Sequence, residues 1–367
     1  MPAKTMTKTL TSLAPAFALP VLFLGYAVVA NYEFISGLGR DLAKMPQSAT
    51  AYLSGEAAVE IDAYYKKIMP HRLPSIDLMG AARYLVFKEG RKGVLVGKDG
   101  WLFSREEFEA TLTGPANLAK AREGLLSVRD ALAESGVKLV LLPLPAKVDI
   151  YREHNESGAI PDDLAKLYAD FVSLARSLGI DTIDARSALV TGKDEAPLFL
   201  TTDTHWTPSG AARVAEATGA ALGKGTQTFT LTLDAPQLRD GDLSKFIVTG
   251  GLAPLVGLGP ETVVPYVAAA ASPVPDNDIF GSGSFPYALV GTSYSANGLW
   301  SFAESLKSAL GADVLNLAEE GRGPVAPMQA FLASDTLRDS PPETVLWEFP
   351  VRYLGDAKLW SAEVKSP

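Results

Sequence analysis

From Asn117 to Phe349 apolar residues alternate between helical spacing and short unbroken runs, and this rhythm restricts the fold more than any single residue does. Leu118, Ala121, Leu125, Val128 and Leu132 recur on one helical face, Gly136 stops that helix, and Val137 to Leu142 is a run suited to a strand buried on both faces. Asp162 to Leu178 reads as a second amphipathic helix and Ile180 to Ile183 as a second strand. Thr207-Pro208 caps a third helix that runs to about Leu222. The rhythm lapses between 223 and 285, where Thr-rich alternation and many Gly and Pro residues indicate an inserted region of loops and short strands. It then returns: Tyr287 to Val290 as strand, Ala296 to Leu310 as helix, Asp313 to Leu317 as strand, Met328 to Ala333 as short helix, Thr344 to Phe349 as last strand. Such an order predicts an α/β fold, a doubly wound parallel sheet with an inserted loop/β region and helices on both faces. No internal repeat interrupts it.

Upstream, Lys4 and Lys8 precede an uncharged stretch from Thr9 to Tyr32, whose apolar core, Leu13 to Ala30, has about the length that crosses a bilayer. A buried soluble helix would carry a polar stripe, and this one has no charge on any face. The cationic end should stay cytoplasmic, which puts the chain after Asn31 outside. Val28-Val29-Ala30 also fits a signal-peptidase site, so an uncleaved anchor and a leader cleaved after Ala30 both remain open; the length of the run favours the anchor. The division expected is a signal anchor at 1–32, a helical stalk or linker at 33–95, and a catalytic domain at 96–360. Within that domain, Gly97 to Phe103 reads as a glycine turn feeding an aromatic strand, in the manner of a hairpin.

Composition removes several classes of function. The 367 residues carry 33 Lys and Arg against 42 Asp and Glu, a net charge of −9, so no broad basic face is offered to nucleic acid. There is no cysteine, which eliminates disulfides, thiolate metal sites and cysteine nucleophiles. With only three histidines besides, metal hydrolysis is disfavoured, and neither a metal nor a cofactor is expected.

Reactive residue types gather in three loops expected at the carboxyl ends of the strands. Thr202-Asp203-Thr204-His205-Trp206-Thr207-Pro208 places an Asp two residues before a His, where its carboxylate can accept the Nδ1 proton and leave Nε2 as a general base. Ala288-Leu289-Val290-Gly291-Thr292-Ser293-Tyr294-Ser295 is a buried strand, a glycine turn and a hydroxyl at the mouth of the next helix, whose start would aim N–H groups at an oxyanion. Leu317 to Gly323 adds glycines that let a substrate approach closely. Each has a plainer reading: a Gly-Thr-Ser cluster is commonly a turn and helix cap, with Ser295 suited to capping, and His71 and His154 read as structural. Trp206 by itself reads as a packing residue. What lifts Ser293, His205 and Asp203 is their conjunction in one sheet without a competing metal cluster.

Taken in order, Gly97 to Phe103, Asp203-Thr204-His205-Trp206, Gly291-Thr292-Ser293-Tyr294-Ser295 and Trp347-Glu348-Phe349-Pro350 resemble the alginate O-acetyltransferase family of the AlgJ/AlgX type, whose domain is related to SGNH hydrolases. The resemblance spans roughly Gly97 to Tyr353, and the Asp-x-His pair preceding the serine is similar to the family's own order. It implies an SGNH-hydrolase-like domain on the periplasmic face of the inner membrane. That domain would O-acetylate a secreted exopolysaccharide, with Ser293 as acetyl carrier, His205 as base and Asp203 as its orienter. Gly321 matches a glycine expected in the oxyanion hole. The SGNH asparagine has no counterpart between Glu348 and Tyr353, and its role falls to Arg352 or Tyr353. Little chain follows Tyr353, as in members without a carbohydrate-binding module, which are thought to work with a multipass membrane O-acyltransferase as acetyl-donor partner.

On this reading a sugar hydroxyl attacks the acetyl-serine, and Tyr294 and Trp206 are expected to line the acceptor site by stacking on pyranose rings. Lys147 and Arg152 either meet polymer carboxylates or are solvated. The alternatives are a carbohydrate acetylesterase with water as acceptor and a non-catalytic scaffold of an exopolysaccharide export complex.

Overall fold

The structure, a computed structural model, describes residues 17–32, 34, 36, 48–69, 71–156, 160–271 and 285–360. The chain divides into two units, 1–79 and 80–367. In the first, residues 17–32 are helical and expose Phe17, Leu19, Val21, Leu22, Phe23 and Leu24; residues 13–16 of the expected span lie outside the described residues. Among the described residues no helix is long and apolar enough to cross a membrane. Helices Ala49–Ser54 and Glu56–Ile68 follow.

The second unit carries the α/β architecture. β1 (Val94–Val96) and β2 (Leu102–Ser104) form the antiparallel hairpin around Lys98–Gly100. Ser104 then caps helix Arg105–Glu134: its hydroxyl accepts from Glu106 N, and Glu106 and Glu107 sit in the first turn, where the helix dipole favours acid. The main sheet follows, from β3 (Lys138–Leu144) and β4 (Asp181–Thr182) to β9 (Tyr287–Val290), β10 (Val314–Asn316) and β11 (Thr344–Pro350). All five are parallel, in the order β10-β9-β11-β3-β4, so the last strand in sequence fills the centre between the two halves.

Period-two alternation sends neighbouring residues of these strands into separate cores. Leu139, Leu141, Ala288, Val290, Val345, Trp347 and Phe349 pack beneath helices Arg105–Glu134, Ile160–Ser177 and Val325–Leu332. On the opposite face Val140, Leu142, Leu144, Leu289 and Leu346 pack with helices Ala185–Gly192, Pro208–Leu222 and Phe302–Leu310. The helix at 208 starts as its sequence predicts, with the Thr207 hydroxyl accepting from Gly210 N and Pro208 in the first turn.

One expectation is corrected and another is met. The helix anticipated from Ala296 to Leu310 is broken into Ser293–Ala296, a 3₁₀ turn at Gly298–Trp300 and Phe302–Leu310, because Asn297 is extended and Ser301 takes a left-handed conformation. Apolar periodicity does not register such breaks. The inserted region is built, among the described residues, from two small antiparallel pairs, β5 (Phe229–Leu233) with β8 (Tyr266–Ala270) and β6 (Gln237–Arg239) with β7 (Glu261–Val263); residues 272–284 lie outside the described residues.

Candidate active site

Ser293, His205 and Asp203 form a continuous hydrogen-bonded line. His205 Nε2 lies 2.7 Å from Ser293 Oγ and Nδ1 lies 2.6 Å from Asp203 Oδ1, which also accepts the His205 backbone N–H at 2.9 Å. Asp203 is fully buried and Ser293 only partly, the pattern of an orienting acid behind a presented hydroxyl. Burial pushes the Asp203 carboxyl up. The hydrogen bonds and charge of His205, with the N–H groups of His205 and Asp242, outweigh it and hold the carboxyl below the usual carboxylate range. The imidazole stacks on Trp300 at 5.1 Å, so its ring plane is fixed from the side as well.

Strand β9 delivers the serine. Its last residue is followed by Gly291, where an added Cβ would lie 2.6 Å from Glu348 Oε2 and 2.8 Å from the Glu348 carbonyl, so no larger residue fits without displacing β11. Thr292 caps the one-turn helix Ser293–Ala296, and the Ser293 N–H falls in that first turn, beyond reach of an intrahelical acceptor. Ser295, suited by sequence to the cap, instead donates to Glu348 Oε2 at 2.8 Å.

The Asp203 loop has a different origin from the one expected. It does not end a strand of the main sheet; it lies between helices Ala185–Gly192 and Pro208–Leu222, pinched by an isolated bridge between Phe199 and Trp206. Its supports come from the insertion, which sequence reasoning left without a role. Arg239 Nε approaches Asp203 Oδ2 at 3.3 Å, and Asp242 N donates to that oxygen at 3.0 Å. Asp242 accepts from Thr204 N and Thr204 Oγ1, and Glu261 accepts from Thr201 N, Thr202 N and Thr202 Oγ1. An acidic residue after a broken rhythm was the only available signal, and it does not reveal its partner.

Asp203, His205 and Asp242 bring potential metal-ligand atoms within 4.8 Å of one another. The Asp203 and Asp242 oxygens already accept from N–H and O–H donors, and His205 Nδ1 donates its proton to Asp203, so a cation would have to displace that proton and break the His205–Asp203 bond to bind.

The remaining residues divide. Trp206 is fully buried, with Nε1 donating to the Tyr294 carbonyl, and Tyr294 is 2 % exposed, with its hydroxyl donating to Thr204 O. Neither ring presents a face to a sugar, so the expectation that they line the acceptor site is corrected: they brace the serine turn against the histidine loop. Arg352 is likewise buried; Nη1 donates to Tyr294 Oη at 3.1 Å, and the guanidinium lies over the Tyr294 and Tyr353 rings. Arg352, Tyr353 and Gly321 line a cavity of about 550 Å³ with Glu106, Glu109 and Arg322. Ser293 is not among its lining residues; the link to it runs through Arg352 and Tyr294. Lys147 is neither solvated nor facing polymer but buried, and Arg152 is spent on Asp149 and Asp162.

The comparisons follow this geometry. A family model described as the SGNH hydrolase-like domain of acetyltransferase AlgX matches residues 94–351. The chain belongs to this family. It is 38% identical over 357 residues to the probable alginate O-acetylase AlgJ of Pseudomonas aeruginosa, covering 90% of both chains. To AlgJ of Azotobacter vinelandii it is 37% identical, covering 83% of this chain and 81% of the relative. The O-acetyltransferase domain of Pseudomonas putida AlgJ superposes with a TM-score of 0.64 at 34% identity, covering 72% of this chain and 92% of the other. Pseudomonas aeruginosa AlgX gives a TM-score of 0.60 at 26% identity, covering 74% and 66%. These matches carry the SGNH-like fold and the acetyltransferase class of the family.

Proposed function

We propose that the chain O-acetylates an alginate-like secreted polysaccharide through an acetyl-Ser293 intermediate. The line from Asp203 through His205 to Ser293 carries the reading. His205 Nε2 takes the proton as Ser293 Oγ attacks the acetyl carbonyl, and Asp203 stabilises the imidazolium. The donor's leaving group takes that proton as the tetrahedral intermediate collapses. A sugar hydroxyl then gives its proton to His205 while its oxygen attacks the acetyl-serine, and Ser293 leaves reprotonated. The N–H groups of Ser293 and Gly321 are assigned to the oxyanion, and Arg352 and Tyr353 to the substrate side of the cavity. Relatives named as alginate O-acetylases support the acceptor class.

The test is intact-mass spectrometry of the purified chain after exposure to an activated acetyl ester, with Ser293→Ala alongside. A one-acetyl adduct on wild type that is lost in the variant is expected. An adduct that persists in the variant would remove Ser293 as carrier, and absence of both adduct and turnover would favour a scaffold. Offering an oligouronate to the acetylated enzyme separates transfer from the esterase reading, which yields free acetate only.

The same proposal divides the chain into an anchor at 1–32, a stalk at 33–95 and a catalytic domain at 96–360. It holds the catalytic domain at the periplasmic face of the inner membrane, beside a multipass membrane O-acyltransferase that supplies acetyl groups. The exposed apolar side chains of residues 17–24, which need lipid or protein cover, support the anchor. Full-length chain is expected in the membrane fraction after a high-salt wash and a chain starting at Asn31 in the soluble fraction; equal partition of the two would reject the anchor.

A further inference from the structure

We propose that Lys147 is a positioning residue of the catalytic centre: its ammonium gathers the carbonyls of Leu102, Thr201 and Asp203 and thereby sets the Asp203 carboxylate in line with His205. The inference rests on the reading of Asp203, His205 and Ser293 as the triad. Lys147 opens the short helix after β3 and is 1% exposed, a placement that is costly unless every donor is used. All three are: Nζ donates to Leu102 O at 2.7 Å and to Thr201 O and Asp203 O at 2.9 Å each. Trp101 and Phe103 lie 5.0 and 5.5 Å from Nζ and help keep water out.

The acceptors come from two separate parts of the chain, β2 and the 201–203 loop; that loop lies outside the named strands, and backbone N–H groups reach its Thr201 and Thr202 carbonyls, from Leu102 at 3.0 Å and Leu243 at 3.1 Å. Glu261 takes the Thr201 and Thr202 N–H groups from one side, and Lys147 takes the Thr201 and Asp203 carbonyls from the other. The side chain of Asp203 is steered by His205, Arg239 and Asp242 N, but its main chain is held by the lysine. Glu107 completes the arrangement, accepting from Lys147 N at 3.0 Å and Val148 N at 3.3 Å, so the lysine's own backbone is anchored to helix Arg105–Glu134.

The clamp is also sensitive to pH. Burial pushes the Lys147 amine down to about 8, against the attraction of Glu107, Glu261, Asp203 and Asp242, the acids that face it. Protonated, it offers three N–H groups to three carbonyls; neutral, it offers two. Activity of the wild type should therefore decline as pH rises through this range.

The experiment measures kcat and KM for p-nitrophenyl acetate across pH with wild type, Lys147→Met, Lys147→Gln and a core control, Leu132→Ala. Lys147→Met is expected to lower kcat roughly 10²-fold with KM within about threefold, the scale of a displaced catalytic group. Lys147→Gln, which keeps two donors, should fall between and lose the alkaline decline. Leu132→Ala, destabilised on the far face of the sheet, should keep both the wild-type kcat and the decline. Wild-type kcat in Lys147→Gln together with an unchanged alkaline limb overturns the proposal, and if Lys147→Met does not fold, the glutamine variant and the wild-type profile decide. Full turnover in Ser293→Ala would instead overturn the triad reading beneath it.

Discussion

Replacing Asp203 by Asn is expected to lower kcat for acetyl transfer by about 10³- to 10⁴-fold while leaving the fold intact, as judged by circular dichroism. The size follows from what triads lose when the buried acid becomes an amide of the same shape. Oδ1 accepts two N–H groups from His205, and Oδ2 accepts from Arg239 and Asp242 N. An asparagine amide turned toward Nδ1 donates to it, drives the proton to Nε2 and leaves no lone pair facing Ser293 Oγ. Turned the other way, it places its NH₂ against Arg239 and the Asp242 N–H. Either orientation costs a buried bond, and a kcat within tenfold of wild type would show that Asp203 is not the orienter. The sign of the pH dependence follows from the same contacts. Because the folded-state carboxyl is held below its ordinary value, its contribution to stability is present above the unfolded value and is lost as pH falls through the folded one.

The hydrogen-bonded line from Asp203 through His205 to Ser293 was legible because its parts are local in sequence. Asp-x-His needs one loop, and a glycine-turn serine needs one strand end. The parallel sheet was legible for a related reason: strands buried on both faces are unbroken apolar runs, as in β3 and β11. What escaped depends on distant pairing or on burial. Arg239, Asp242 and Glu261 reach the loop from an insertion whose rhythm announces only irregularity. Lys147 carries its residue type openly, yet nothing nearby says that its ammonium is buried among carbonyls rather than solvated. Trp206 and Tyr294 suggested stacking platforms because aromatics beside a catalytic histidine often are, whereas here their polar atoms meet backbone partners inside the core. The helix break at Asn297 and Ser301 escaped because apolar spacing continues across it.

Glu348 was noticed only as standing where an asparagine was sought, and it is expected to be the most costly residue to truncate on the serine side of the site. It is fully buried in β11 and accepts from Thr292 N at 2.9 Å, from Thr292 Oγ1 at 3.0 and 3.2 Å, and from Ser295 Oγ at 2.8 Å. These groups flank Ser293 on both sides, so one side chain fixes the turn that presents the Ser293 hydroxyl. Glu348→Ala strands three buried donors and opens a void, at about 1–3 kcal/mol for each unsatisfied group, and should cost about 3–5 kcal/mol in chemical denaturation. It should also lower kcat by roughly 10²-fold through misplacement of the turn. Glu348→Gln keeps one acceptor oxygen and should lie between. Burial pushes the Glu348 carboxyl up, against the Thr292 and Ser295 donors and the Arg352 charge. A raised folded-state value means that wild type gains stability as pH falls through it, while the glutamine variant does not titrate. The gap between the two should therefore widen in favour of wild type toward acid. A gap that narrows toward acid would mean that the carboxylate, and not the neutral acid, is the form the folded site prefers, and that its donors outweigh its burial.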